Sequence, residues 1–142
     1  MSLVVIDANV SLKWALNDEE AVVEAVALRE AFMAGRIELV APTLWVYEIT
    51  NGLIVATRRK RIAPEISTQF LKDILSMGIR LLDPLADQVH SQAIQYNVSA
   101  YDAAYLTLAE ELGVPLWTGD RRFYDAVRNN VGFVHWIGDY SL

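Results

Sequence analysis

Five short apolar runs, each separated from the next by at least one stretch of helical character, constrain the fold of this chain more than any other feature. Residues 3–6, 37–40, 79–82, 114–118 and 133–136 read as strands bounded by acids, glycine or turn formers. Between the first two, Val22, Ala25, Val26, Leu28 and Phe32 keep helical spacing until Gly35. Asn17-Asp18-Glu19-Glu20 is expected to start that helix, with capping types followed by acids that favour the positive end of the dipole. Pro42-Thr43 opens a helix over about residues 44–59, and Ile62, Ile66, Phe70 and Ile74 mark the apolar stripe of another. A helix runs through Val89, Ala93 and Ile94. Ser99 begins a strongly apolar one over 100–112 that Gly113 closes, and residues 121–128 form a short one. Strands alternating with helices specify a mostly parallel five-stranded sheet covered on both faces, a three-layer α/β/α fold. Ligands bind such sheets beyond the carboxyl ends of the strands.

The 142 residues contain no repeat, linker or low-complexity stretch, so residues 1–142 are expected to form a single domain. Apolar residues make up 54% of the chain, yet no apolar run is long enough to span a bilayer. That excess suggests burial against a partner or a second copy. The absence of cysteine excludes disulfides, thiolate metal sites and cysteine nucleophiles. Met1-Ser2-Leu3-Val4-Val5-Ile6-Asp7 has no basic stretch and reads as a first strand rather than a signal peptide, so a cytoplasmic protein with no membrane role is expected. The net charge of −6 counts against a simple nucleic-acid-binding module, unless the acids are concentrated around bound cations.

Glu19, Glu20, Glu24, Glu30, Glu110 and Glu111 are read as solvated helix positions; four other acids are not so easily placed. Asp7 ends the first strand, where it either caps a following turn or faces the binding edge of the sheet. Glu48 lies in the apolar turn Leu44-Trp45-Val46-Tyr47-Glu48-Ile49, with Asn51 on its own face and Gly52 next, a pattern that suits a cleft. Asp102 completes the capping box Ser99-Ala100-Tyr101-Asp102 and sits in the first turn of its helix. Asp120 follows the fourth strand in Thr118-Gly119-Asp120-Arg121, as a cap or as a site residue. All four can converge at one end of one sheet. Carboxylates so gathered need a counter-charge, and all-oxygen ligation selects Mg²⁺ or Mn²⁺ over zinc. Such ions suit phosphodiester hydrolysis. Ser11 and Thr118 carry hydroxyls that can position a water or a ligand.

At these residues the chain resembles the PIN-domain family and, within it, the VapC-type ribonuclease toxins. The resemblance is carried by Val5-Ile6-Asp7-Ala8-Asn9-Val10 with Lys13-Trp14, and by Tyr47-Glu48-Ile49-Thr50-Asn51-Gly52-Leu53. It continues in Tyr101-Asp102-Ala103-Ala104-Tyr105-Leu106-Thr107-Leu108-Ala109 and in Pro115-Leu116-Trp117-Thr118-Gly119-Asp120. It implies a five-stranded parallel sheet, one or two Mg²⁺ or Mn²⁺ ions, and Asp7, Glu48, Asp102 and Asp120 as the acidic quartet. It also implies an RNA substrate, a homodimer, and silencing by a cognate antitoxin protein. Asn9 stands where relatives often have Ser or Thr, and Thr118 fits the family's threonine before the last acid.

Lys13, Arg121 and Arg122 are the candidates for substrate contact, while Arg58-Arg59-Lys60-Arg61 reads first as a solvated helix end. His90 and His135 have no ligand spacing and are read as structural. Trp45, Trp117, Trp136 and the Ile62 stripe are read as core, with one such helix face available for a dimer contact. A haloacid-dehalogenase-type phosphatase needs a second acid where this chain has Asn9. A phosphoacceptor receiver needs paired acids after the first strand and a late lysine, and the last lysine here is Lys72. The remaining alternative is a PIN-type module that binds RNA or protein without cutting.

Overall fold

The computed structural model describes residues 2–141. Its strands are β1 (Ser2–Ile6), β2 (Ile37–Ala41), β3 (Arg80–Leu81), β4 (Leu116–Thr118) and β5 (Val134–Trp136), in the order β3-β2-β1-β4-β5. Every pairing is parallel, including Val5 with Val40 and with Leu116 at the centre. The helices are α1 (Ala8–Leu12), α2 (Val22–Met33), α3 (Leu44–Arg58), α4 (Pro64–Leu75), α5 (Ala86–Tyr96), α6 (Ala100–Leu112) and α7 (Arg121–Val127). A 3₁₀ turn over Ile137–Asp139 follows β5.

The alternation of side chains along β1 builds both cores. Val5 turns to one face, where Trp45 and Ile49 of α3, Ile74 of α4 and Leu106 of α6 pack with it. Val4 and Ile6 turn to the other, against Ala25 and Leu28 of α2 and Ile137. The result is the expected three-layer α/β/α arrangement. α6 is the innermost helix: Ala103 through Ala109 are all buried, which explains why its sequence is apolar all round. Gly113, at φ 68°, ends it in the left-handed conformation that glycine adopts without strain. Among the described residues no helix is long and apolar enough to cross a membrane.

Several local expectations are corrected. Asn17-Asp18-Glu19-Glu20 does not begin a helix: α2 starts at Val22 after Ala21, which has φ 61°. Asp18 and Glu19 instead bond the guanidinium of Arg61, so Glu19 is a cross-linking residue rather than a solvated helix position. The five residues of α1 show no apolar period, and its only sequence signal is Asp7 as the cap of a following turn or helix. It exists because Asp7 caps it and Trp45 reaches across to Ser11. β3 is shorter than residues 79–82 because only Arg80 and Leu81 pair in register with β2, although the N–H of Leu82 still donates to the carbonyl of Ala41 at 3.0 Å.

The chain leaves β1 for β2 on one side, and β4 returns on the other. The crevice between the carboxyl ends of β1 and β4 is therefore the switch point of this sheet.

Candidate active site

Asp7 is delivered to that crevice by the last residue of β1 and is 7% exposed. Its Oδ1 accepts the backbone N–H of Val10 at 3.0 Å and that of Gly119 at 3.1 Å. Its Oδ2 accepts the hydroxyl of Thr118. One carboxylate thus caps α1 and stands at the binding edge of the sheet. Burial pushes its carboxyl up to about 6 against the pull of those three donors, and the charge of Asp120 pushes the same way. Thr118 is fully buried, and its Oγ also accepts the N–H of Asp120 at 3.0 Å, so one threonine ties two acids together.

Gly119 makes this corner possible. A Cβ there would stand 2.7 Å from the carbonyl carbon of Asn9 and 2.8 Å from the nitrogen of Val10, both backbone atoms that cannot swing aside. Asp120 caps α7 by accepting the N–H groups of Arg122 and Phe123 at 3.0 and 3.2 Å. Asp102 lies in the first turn of α6, where its N–H donates to Ser99 Oγ at 3.0 Å. Burial raises its carboxyl, as does the charge of Asp120, while Ser99 and the guanidinium of Arg122 lower it. Asp102, Asp120 and Arg122 line a common pocket of about 290 Å³.

Glu48 projects from the second turn of α3, and its Oε1 accepts the hydroxyl of Tyr105 at 2.5 Å. Burial raises its carboxyl, with a smaller contribution from the charge of Asp102. Tyr105 is 3% exposed, and its phenol is pushed up by burial first, then by Glu48 and by Asp7. Its hydroxyl therefore ties α6 to the acid of α3. Sequence reading assigned this tyrosine no role. The available signal is its position three residues after Asp102, one turn along the same face of α6.

The acids form an arc in which the charge of Asp120 raises the carboxyls of Asp7 and Asp102, and the charge of Asp102 raises that of Glu48. Among the described residues none of the four makes an ion pair. Nor do any three described Asp, Glu or His side chains already enclose a position for an ion, so the arc is open.

Of the other expected site residues, Asn9 is exposed in the first turn of α1, beside Gly119. Ser11 is fully buried, and its Oγ accepts the indole N–H of Trp45 at 2.9 Å, an anchor between α1 and α3. Lys13 is not a free cation at the cleft: it is 3% exposed, with Nζ 3.8 Å from Glu19 and 5.7 Å from the centre of the Trp136 ring. Its aliphatic stem runs beneath Gly119, which is why it is enclosed. Arg121 lies over Trp136 at 5.1 Å and 3.8 Å from Asp125, and Arg122 reaches the acids' pocket. Arg58 and Arg59 are exposed, whereas Arg61 is engaged by Asp18 and Glu19. His135 packs on Trp117 at 4.9 Å and His90 lies on α5, both away from the acids.

A doubly wound, wholly parallel sheet, with carboxylates around its switch point that make no ion pair among the described residues, defines an α/β protein with an acid-lined cleft. More particularly, the chain belongs to the PIN domain family, whose model matches residues 4–129. It is 32% identical over 106 residues to a Pyrobaculum aerophilum protein named exonuclease VapC9, spanning 75% of this chain and 80% of that one. It is 30% identical over 123 residues to a Mycobacterium tuberculosis protein named ribonuclease VapC9, spanning 87% and 90%. The fold is shared with the crystal structure of PAE2754 from Pyrobaculum aerophilum, with a TM-score of 0.69 at 23% identity over 96% of this chain and 91% of that one.

Proposed function

We propose that this protein, as a single domain, is a divalent-metal-dependent endoribonuclease and the toxin of a toxin–antitoxin pair. The carrying observation is the arc of Asp7, Glu48, Asp102 and Asp120, crowded at the switch point without ion pairs. The names of relatives that align over most of the chain, an exonuclease VapC9 and a ribonuclease VapC9, support the nuclease part of this reading.

The residues present fit a hard cation. The donors are all carboxylate oxygens, and three of the acids have carboxyls raised by burial, a state that a cation would reverse. Among the described residues no three acids form a closed cage, but Mg²⁺ does not require one, since it keeps several waters and uses one or two carboxylates plus substrate phosphate. Asp7, Glu48, Asp102 and Asp120 would hold it. When bound, such an ion acidifies water and neutralises charge on the phosphate.

The chain's own residues do the positioning. Thr118 and the N–H groups of Val10 and Gly119 fix Asp7, and Tyr105 fixes Glu48. Arg122, with Arg121 beside it, supplies the positive charge that holds a phosphodiester against an otherwise repulsive rim. The cognate antitoxin, a homodimer and a cytoplasmic location belong to the same reading.

The test is cleavage of a panel of end-labelled and internally labelled RNAs with Mn²⁺, with EDTA, and by Asp7→Asn. Internal cuts that need both the metal and Asp7 are expected, and release of terminal nucleotides alone would make the enzyme an exonuclease. Metal binding without cleavage of any RNA would favour the non-cleaving module.

A further inference from the structure

Two tyrosines stand in the open beside the acid arc, one on each helix that carries a half-buried acid. Tyr47 precedes Glu48 on α3 and is 79% exposed; Tyr101 precedes Asp102 on α6 and is 66% exposed. Both line one shallow pocket of about 230 Å³ together with Leu44, Glu48 and Asn51. This pocket lies at the Glu48 end of the arc, whereas the pocket containing Arg122 lies at the Asp120 end. Among the described residues neither ring stacks on another aromatic.

The geometry points to a nucleobase subsite in which Tyr47 and Tyr101 stack an unpaired base of single-stranded RNA and Asn51 meets the base edge. It rests on the nuclease reading above and names the substrate class of that site. Three physical arguments select this occupant. A base offers a π-face whatever its identity, and tyrosine rings lose little conformational entropy on immobilisation. Bases in a duplex are already stacked on one another, so rings set at the cleft rim select unpaired strands. Arg122, which attracts backbone phosphate, lines the pocket at the other end of the arc, and among the described residues no cationic side chain lines this one. Base and backbone are thereby sorted to opposite ends of the arc. An apolar protein segment laid here would desolvate the amide of Asn51 without giving it a partner.

The test is the steady-state cleavage of an unstructured oligoribonucleotide by wild type and by Tyr47→Ala, Tyr101→Ala and the corresponding Phe variants, at saturating Mn²⁺. Each alanine is expected to raise KM about 10-fold with kcat nearly kept, and each phenylalanine to restore KM. Removing the bases that flank the cut from the substrate should erase the difference between wild type and the double alanine variant. Unchanged KM in the alanine variants overturns the subsite, as does an equal loss on duplex RNA. A change in sedimentation of the double variant at unchanged KM overturns it too, and assigns the rings to a second copy of the chain. Failure of the nuclease reading looks different, because wild type itself then cuts nothing.

Discussion

The two ends of the acid arc are built on different principles. At the Asp7 corner the carboxylate is buried and accepts three hydrogen bonds from the chain, while the backbones of Gly119 and α1 meet at near-contact distance. At the Glu48–Asp102 rim each acid is half-buried, and the carboxylate of Glu48 accepts a hydrogen bond from the single hydroxyl of Tyr105. The corner is preorganised by backbone that cannot relax, whereas the rim is held by side chains that can. A site built this way keeps a fixed anchor for charge and an adjustable lip for whatever the charge binds.

The largest expected effect belongs to the corner. Asp7→Asn keeps an oxygen for the N–H groups of Val10 and Gly119 but removes the charge, so activity falls to background while the fold remains. Its stability carries a pH signature. In metal-free buffer the folded carboxyl titrates at about 6 against an unfolded value of 3.8, so between these values the folded state binds more protons. Stability from this group is therefore full below the unfolded value and is lost as pH rises through the folded one, by ~3 kcal/mol. Thermal melts in EDTA should show Asp7→Asn gaining on wild type from about pH 4 to about pH 7. A constant difference across that range would remove burial as the cause.

At the rim, Tyr105→Phe leaves the packing intact and frees Glu48. Mn²⁺ affinity and activity should fall about 10- to 100-fold, with Tm little changed. Equal loss of Tm and activity would mean that the tyrosine only packs. Gly119→Ala probes the rigidity of the corner from the other side. Its Cβ must push apart backbone at 2.7 and 2.8 Å, which should cost about 1–3 kcal/mol in denaturant melts and displace Asp120. A neutral Gly119→Ala would make the corner as soft as the rim. Arg61→Ala, which breaks the exposed pairs with Asp18 and Glu19, is the control and should move neither Tm nor activity appreciably.

The same contrast explains what was legible in the sequence. Strands, the apolar α6 and the acids Asp7, Asp102 and Asp120 could be read because each sits at a boundary where hydrophobic period and capping chemistry change together. Glu48 stood out as a lone charge in an apolar turn. What escaped depends on contacts distant along the chain. Tyr105 meets Glu48 across 57 positions, and although Thr118 was legible as a hydroxyl near the last acid, its bond to Asp7, 111 positions away, was not. The enclosure of Lys13 follows from the approach of Gly119 to α1, for which local sequence gives no signal. The failed start at Asn17 has the same origin, since Arg61 claims the acids that would have capped it.

The most direct test of the central claim is a calorimetric Mn²⁺ titration of wild type and Asp7→Asn at neutral pH, paired with thermal melts. If the arc is a cation site, wild type binds Mn²⁺ saturably and melts higher with it, and Asp7→Asn loses most of that affinity while remaining folded. Absence of Mn²⁺ binding by folded wild type would contradict the account and leave Asp7, Asp102 and Asp120 as the helix caps and first-turn acids they also are.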